Sequence, residues 1–170
     1  MLRTSAAPMP MTRTQADTVR HLLRDQDVAA LGTLNRGEPF VSMVPFALLP
    51  DGNGFVIHVS RLATHTADMQ QHAAVSLMVC DVREPGTPPQ GLARATVQGD
   101  ARTCVSGSEE HAAAQHAYLS RFPESEPMFD FGDFSLVVIV PRAVRVVGGF
   151  AQAWSATPAD LAVALSAGER

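Results

Sequence analysis

The sequence predicts a mainly β fold of the α+β class, a small antiparallel barrel of about seven strands with short peripheral helices. Segments rich in β-branched and aliphatic residues recur along the chain and are separated by turn signals. Most connections are too short for a crossover helix, so consecutive strands are expected to pair antiparallel. The 170 residues, 46% hydrophobic and 18% charged, suit one globular domain with a sizeable core.

Composition excludes several classes of function. The formal net charge is −4, and no basic stripe is present, which argues against a general nucleic-acid or anionic-membrane binder. The longest apolar run, residues 136–140, is too short to span a bilayer, and the first residues lack an apolar run of signal-peptide length. Two cysteines, Cys80 and Cys104, are too few for a disulfide framework. We therefore expect a cytoplasmic protein without nucleic-acid or membrane partners.

The chain is predicted to begin with a flexible N-terminal arm, residues 1–13, and to continue as a single domain, residues 14–170. Thr14 can cap a first helix, and Asp17 favours the positive end of that helix. The apolar side of the helix is formed by Val19, Leu22 and Leu23.

The next elements are predicted to be strands at residues 28–34, 39–49 and 55–60. The sequence NRGE separates the first two strands and DGNG the second two, and both are turn sequences typical of hairpins. A short helix at 62–72, with Leu62, Thr66 and Met69 inward, then leads into a strand at 75–80.

A loop interrupts the strands in the middle of the chain. Residues 83–91 contain three prolines and two glycines, which no regular strand ladder accommodates. The following residues, 92–104, read as a strand in which Gly99 marks a bulge. The barrel is therefore expected to resume after this loop.

The last third of the chain is predicted to contain two helices and two strands. Ser106 and Glu109 form a capping-box pattern for a helix that ends near Phe122. The sequences SLVVIVP and RVVGGF supply the last two strands. The start of a C-terminal helix is indicated by Thr157, Pro158 and Asp160.

Hydrogen-bond donors concentrate where the strand at 55–60 runs into the following helix. This donor cluster comprises Ser60, Arg61, Thr64, His65 and Thr66. A helix N-terminus exposes unpaired amides and carries about half a positive charge, so a phosphate monoester fits such a place. Arg94, on a later strand, is a candidate for the same pocket. The alternative is ordinary helix capping by the hydroxyls beside a solvated Arg61.

Longer stretches around this cluster resemble a known family. SRLATHTADM followed by VSLMV, and later ARATVQGDAR and FGDFSLVVIVPRAVRVVGGF, are similar to the FMN-binding split-barrel proteins related to pyridoxamine 5′-phosphate oxidase. The resemblance covers about residues 14–154 and is greatest to the haem-utilisation branch of that superfamily. It implies a split barrel of six or seven strands that forms a homodimer, with FMN bound between the subunits.

The resemblance also implies roles for individual residues. The flavin phosphate would be held by the donor cluster, with Arg94 next to it. The flavin ring would lie along the backbone of the second strand, at Ser42, Met43, Val44 and Pro45. The partner subunit would supply a wall, either from Gly148, Gly149 and Phe150 or from the region of Trp154. Thr64 and His65 stand where the vitamin-forming oxidase has an Arg-Lys pair, and no histidine follows His116 to serve as the late haem ligand of haem-degrading relatives.

The function expected from these residues is that of an FMN-dependent oxidoreductase with an unassigned small-molecule substrate. One alternative is a haem-binding or haem-degrading protein on the same barrel, and another is a non-enzymatic module that binds flavin or a phosphate ligand. No residue stands out as a catalytic acid or base. No metal site is expected, because His65 and His72 on one helix are about 10.5 Å apart along its axis. Asp133 is expected either to pair with an arginine or to cap a turn.

Overall fold

The computed structural model describes residues 10–166, which contain four α-helices and eight strands. The helices are α1 (Arg13–Asp25), α2 (Thr64–Gln71), α3 (Glu109–Arg121) and α4 (Pro158–Ser166). The strands are β1 (Val28–Asn35), β2 (Glu38–Pro45), β3 (Ala47–Leu48), β4 (Phe55–Ser60), β5 (Ala74–Cys80), β6 (Arg94–Thr103), β7 (Phe134–Gly149) and β8 (Gln152–Ala156). Residues 1–9 of the predicted arm lie outside the described residues.

The strands form one antiparallel sheet that curls into a half-barrel. Their order is β2-β1-β5-β6-β7-β4-β3, and β8 pairs with β7 beside this path. Every pairing is antiparallel. Contacts between β2 and β4 bring the two flanks of the sheet together. The predicted fold class, a mainly β antiparallel split barrel with short peripheral helices, is confirmed.

The hydrophobic core occupies the inside of the curled sheet, and β4 shows how the sequence produces it. Side chains alternate across a strand, so Phe55, Ile57 and Val59 point into this core, at 0–2% exposure. Val56 points to the other face, where it packs with Tyr118 of α3 in a second cluster. The strand β4 is therefore covered on both of its faces.

Strand β2 lies at the edge of the sheet, and most of its side chains are exposed. Phe40, Val41 and Met43 are 37%, 66% and 65% exposed, although each is a large apolar residue. Val44 alone points into the core. An apolar edge strand of this kind is a surface that other β proteins cover or block.

The longest element, β7, was predicted as two strands but is continuous from Phe134 to Gly149. It pairs with β4 at its start, with β6 along most of its length and with β8 at its end. The predicted bulge at Gly99 is confirmed, because the β6–β7 register shifts there. A Cβ atom at this position would lie 2.4 Å from the Val140 carbonyl oxygen, so the close approach requires glycine.

The predicted strand at 39–49 is interrupted at Phe46, which separates β2 from β3. The Phe46 amide donates to the Asp27 carbonyl instead of to a neighbouring strand, and the Phe46 ring is fully buried. Strand β8 was not predicted, because its sequence QAWSA lacks a run of β-branched residues.

Two predicted helix caps are wrong, in each case by two residues. The cap of α1 is Thr12, not Thr14, and Gln15 completes a capping box with it. The cap of α3 is Ser108, not Ser106, because the Ser108 hydroxyl accepts from the His111 amide. The predicted start of α4 is confirmed: Thr157 and Asp160 exchange hydrogen bonds at the helix entrance.

The helix predicted at 62–72 starts later than expected. Because α2 begins at Thr64, Leu62 lies in the preceding turn and is 89% exposed, so its predicted inward orientation is wrong. Thr66 and Met69 are buried as predicted. No helix among residues 10–166 is long and apolar enough to cross a membrane.

Candidate functional site

The N-terminus of α2 presents amides that no side chain within residues 10–166 caps. The residue at the cap position is Ala63, whose methyl side chain cannot accept a hydrogen bond, and the first turn contains no acidic residue. The positive end of the helix dipole is therefore not neutralised from within the helix. Such an end favours an anion.

Ser60 and Arg61 lie beside this helix end and are held by one segment of the chain. The Ser60 hydroxyl donates to Asp133 Oδ2 at 2.7 Å and accepts from the Leu62 amide at 3.1 Å. The Arg61 amide donates to the Asp133 carbonyl at 2.7 Å, and its guanidinium donates to the Gly132 carbonyl at 2.8 Å. Residues 132–133 thus fix the strand side of the donor cluster.

The three remaining members of the cluster have different roles. The Thr66 hydroxyl is buried and donates to the Ser60 carbonyl at 2.7 Å, so it stabilises the turn between β4 and α2. The Thr64 side chain is exposed and has no hydrogen-bond partner within residues 10–166. His65 Nδ1 lies 3.1 Å from Ser42 Oγ, and this hydrogen bond joins α2 to β2. Thr64 is therefore the member most available to a ligand.

The environment of His65 favours its neutral form. Burial lowers the pKa of this imidazole, and the nearby Asp68 carboxylate opposes that effect. A neutral imidazole offers one donor and one acceptor. The donor cluster consequently contains one fixed cation, Arg61, rather than two.

Asp133 is the acidic group of this region, and sequence reasoning left its role open. Its carboxylate accepts from the Ser60 hydroxyl instead of pairing with an arginine within residues 10–166. A carboxylate here repels a second anion, so the strand side of the cluster is less favourable to phosphate than the helix side. Residues 10–166 contain no group of three or more histidine, cysteine or acidic residues able to hold a metal ion.

A buried network missed by sequence reasoning attaches α2 to the sheet. Asp68 is 2% exposed, and its carboxylate accepts from the Thr33 hydroxyl at 2.7 Å and from the side-chain amide of Asn35 at 2.8 Å. The only hint in the sequence is that Thr33 falls at an inward position of β1. This network fixes the helix whose N-terminus faces the donor cluster.

The predicted flavin contacts of β2 lie on the open edge of the sheet. Ser42 is the one that reaches the donor cluster, through His65. Met43 and Pro45 are exposed, whereas the Val44 side chain is buried and leaves only its backbone to a ligand.

The other predicted site residues lie at the far end of β7. Ser60 is paired with Phe134 at the start of that strand, whereas Arg94 is paired with Val147 near its end. The Arg94 guanidinium donates to the Leu92 carbonyl at 2.9 Å.

The turn between β7 and β8 shares that end of the strand. It contains Gly149 and Phe150, and Phe150 is 82% exposed. One chain thus carries two separate groups of predicted site residues, one at each end of β7.

The sequence model of the pyridoxamine 5′-phosphate oxidase family matches residues 16–148. Among curated proteins, the chain is 36% identical over 141 residues to the non-canonical heme oxygenase HOZ, chloroplastic, of Arabidopsis thaliana. That match covers 81% of this chain but 41% of the relative, so the chain spans less than half the length of this curated relative.

Solved structures share the same fold. A heme binding protein from Mycobacterium smegmatis superimposes with a TM-score of 0.79 at 28% identity, covering 91% of this chain and 62% of that one. HutZ, the heme storage protein of Vibrio cholerae, superimposes with a TM-score of 0.71 at 21% identity, covering 78% and 94% of the two chains. The second identity is low enough that it supports the fold alone. With the family match over residues 16–148 and the half-barrel described above, the chain belongs to the pyridoxamine 5′-phosphate oxidase family.

Proposed function

We propose that the protein is an FMN-binding flavoprotein that forms a homodimer and acts as an oxidoreductase on a small-molecule substrate not yet assigned. The observation that carries this proposal is the uncapped N-terminus of α2, flanked by the exposed side chains of Arg61 and Thr64. Family membership supports it independently. A cytoplasmic location stays a prediction.

The charges around α2 fit a phosphate monoester on the helix side of the cluster. The helix end supplies about half a positive charge and Arg61 a full one. Thr64 adds a hydroxyl donor without a partner among the described residues. Asp133 occupies the strand side, so the phosphate group would contact Thr64 and the helix amides rather than Ser60.

A second copy of the chain would complete the flavin groove. The two groups of predicted site residues lie at opposite ends of β7, so one chain offers a phosphate site at one end and Arg94, Gly149 and Phe150 at the other. In a twofold dimer, the group formed by Arg94, Gly149 and Phe150 in one copy can lie beside the phosphate site of the other copy. The apolar, uncovered faces of β2 are the surface that such a partner would bury.

The flavin, once bound, supplies the redox chemistry, and the chain supplies binding and orientation. Arg61, Thr64 and the amides of α2 would hold the phosphate. The backbone of β2, fixed to α2 through Ser42 and His65, would orient the ring. The exposed ring of Phe150, contributed by the partner, would exclude water from one side of the groove.

The proposal is tested by comparing two ligands that differ only in the phosphate. Arg61→Ala should weaken FMN binding by about ten- to a hundredfold, since a charge-assisted hydrogen bond contributes about 1.5–3 kcal/mol. Riboflavin binding, followed by fluorescence quenching, should be unchanged. Arg83→Ala, an exposed arginine in the loop after β5, is the matched control. Equal losses for both ligands would contradict a phosphate site at Arg61.

A haem-binding or haem-degrading function is the second candidate, because the curated relative is described as a heme oxygenase and the Mycobacterium smegmatis structure as a heme binding protein. Titration of the protein with haem would produce a saturable Soret band if haem binds. Conversion to verdohaem or biliverdin in the presence of a reductant would establish degradation. A Soret band that FMN displaces would indicate that both ligands use the same groove.

A non-enzymatic flavin-binding module is distinguished by kinetics. An oxidoreductase should reduce its bound FMN rapidly with NADPH or NADH and reoxidise it with an acceptor. A flavin that remains oxidised with both donors, in protein that binds FMN stoichiometrically, would favour the binding module.

A further inference from the structure

A cavity lies on the outer face of the sheet, between α3 and the start of β7. It has a volume of about 330 Å³ and is enclosed by β4, β7, α3 and the segment that precedes β7. No Asp, Glu, Lys or Arg side chain is among its lining residues. Pockets of this size are large enough for a small ligand.

His58 projects from β4 into this cavity, on the strand face where Val56 packs into the second core cluster. Its ring stacks on Phe129 with centroids 4.0 Å apart and planes 10° apart, and it also contacts Tyr118 and Phe134. Neither ring nitrogen has a hydrogen-bond partner within residues 10–166. The half-buried imidazole of His58 is therefore available to hydrogen-bond with a ligand in the cavity.

Four other polar side chains share this property. They are Ser106, His111, Gln115 and Ser135, which line the same cavity and have no side-chain hydrogen bond within residues 10–166. His111 and Gln115 are four residues apart on α3, so they lie on the same face of that helix. The cavity therefore combines five polar side chains that are available to a ligand with the rings of Phe129, Phe131 and Phe134.

Burial, with a smaller contribution from the neighbouring imidazole of His111, lowers the pKa of His58 to about 4, so the His58 imidazole is neutral at pH 7. A neutral imidazole offers one donor and one acceptor. The lining contains no Asp, Glu, Lys or Arg side chain that would balance a charged ligand. The complementary ligand is therefore flat, uncharged and able both to donate and to accept hydrogen bonds at its edge.

We propose that this cavity is a binding site for an uncharged planar heteroaromatic compound, held by stacking against the aromatic wall and by hydrogen bonds to His58, His111 and Gln115. The site is separate from the proposed phosphate site and does not depend on it. The Ser60 hydroxyl lies two residues further along the same face of β4, so the two sites are neighbours on one strand. A ring bound here would lie close to the segment that holds Ser60 and Arg61.

The probe is nicotinamide, and the readout is the set of imidazole signals in a long-range ¹H–¹⁵N spectrum. Nicotinamide should shift the signals of His58 and His111 saturably and leave those of His21 and His72 in place. Nicotinate has the same shape with a negative charge, and cyclohexanecarboxamide has the amide without a flat ring. Both should bind at least about tenfold more weakly, the equivalent of one lost hydrogen bond or stacking contact.

His58→Phe keeps an aromatic ring in the stack and should abolish the effect, whereas His116→Phe, an exposed residue of α3 outside the cavity, should leave it intact. His111→Ala, at the half-exposed rim, should weaken binding about tenfold. None of these variants should change FMN affinity. Shifts confined to His65, equal binding of all three probes, or nicotinamide binding that survives His58→Phe would each overturn the proposal.

Discussion

Strands β4 and β2 come together where the barrel closes, and their surroundings are opposite. Along β4, Phe55 and Ile57 are fully buried in the main core, and Val56 is fully buried in the second cluster. Along β2, Val41 and Met43 are about two-thirds exposed although they are as apolar as the residues of β4. The same residue types thus stabilise the fold in one strand and remain largely uncovered in the other, which is consistent with the proposed association through β2.

The largest difference in stability between the two strands is expected when a buried side chain of β4 is truncated. Ile57→Ala should lower the free energy of unfolding by about 2–5 kcal/mol, because it leaves a cavity in a fully packed core. Met43→Ala in β2 should change it by less than about 0.5 kcal/mol per chain at a concentration where the protein is monomeric. Urea denaturation of both variants measures the difference. Similar losses would show that β2 belongs to the core.

The association proposed for β2 is tested by placing charge on it. The double variant Val41→Lys, Met43→Lys should raise the dimer dissociation constant by about a hundredfold, since burying an unpaired charge is costly. Light scattering after size exclusion should then report a monomer with an unchanged circular dichroism spectrum. Val163→Lys, at an exposed apolar position of α4, is the control and should remain dimeric. A wild-type monomer at micromolar concentration would refute the dimer.

A smaller effect is expected in the pH dependence of the free energy of unfolding, to which His58 of β4 contributes. The folded-state pKa of His58, about 4, lies below the ordinary value of 6.5, so the unfolded chain takes up a proton first as the pH falls. This group therefore lowers stability progressively from about pH 6.5 down to pH 4 and has no further effect below that. His58→Phe should flatten that part of the stability profile. An unchanged profile in His58→Phe would contradict this prediction.

The smallest effect is expected at the hydrogen bond that links β2 to α2. Ser42→Ala removes the partner of His65 and should cost about 0.5–1.5 kcal/mol, as a loss of FMN affinity or of stability. Isothermal titration with FMN and thermal unfolding separate the two outcomes. Ser76→Ala in β5, whose side chain has no hydrogen bond within residues 10–166, is the control. An unchanged variant would mean that β2 does not orient the ligand through this contact.

The sequence predicted those parts of the fold that depend on local patterns. The alternation of FVIHVS after the turn DGNG placed β4 at its correct residues. The close approach at Gly99 was foreseen because a glycine inside a strand pattern usually marks a bulge. The cap residues were wrong because two hydroxyl residues, two positions apart, occur near the start of both α1 and α3, and which of them caps depends on how the chain enters the helix.

The candidate site was predictable only where its residues adjoin in sequence. Ser60, Arg61 and Thr64 occur within five positions, so the strand-to-helix joint brings them together by itself. Asp133 and Asp68 bind residues far away in the chain, and their contacts follow from strand pairing and helix placement that no local pattern encodes. Long-range hydrogen bonds of this kind decide which of the donors remain available to a ligand.

The continuous strand β7 fixes the distance between the two groups of predicted site residues. It runs unbroken from the neighbour of Ser60 to the neighbour of Arg94, and three other strands depend on its register. A single inserted residue anywhere along it would turn every following side chain to the opposite face. Substitutions at exposed positions of β7, such as Val140 and Arg142, would therefore leave this spacing intact, whereas a change in the length of the strand would uncouple its two ends.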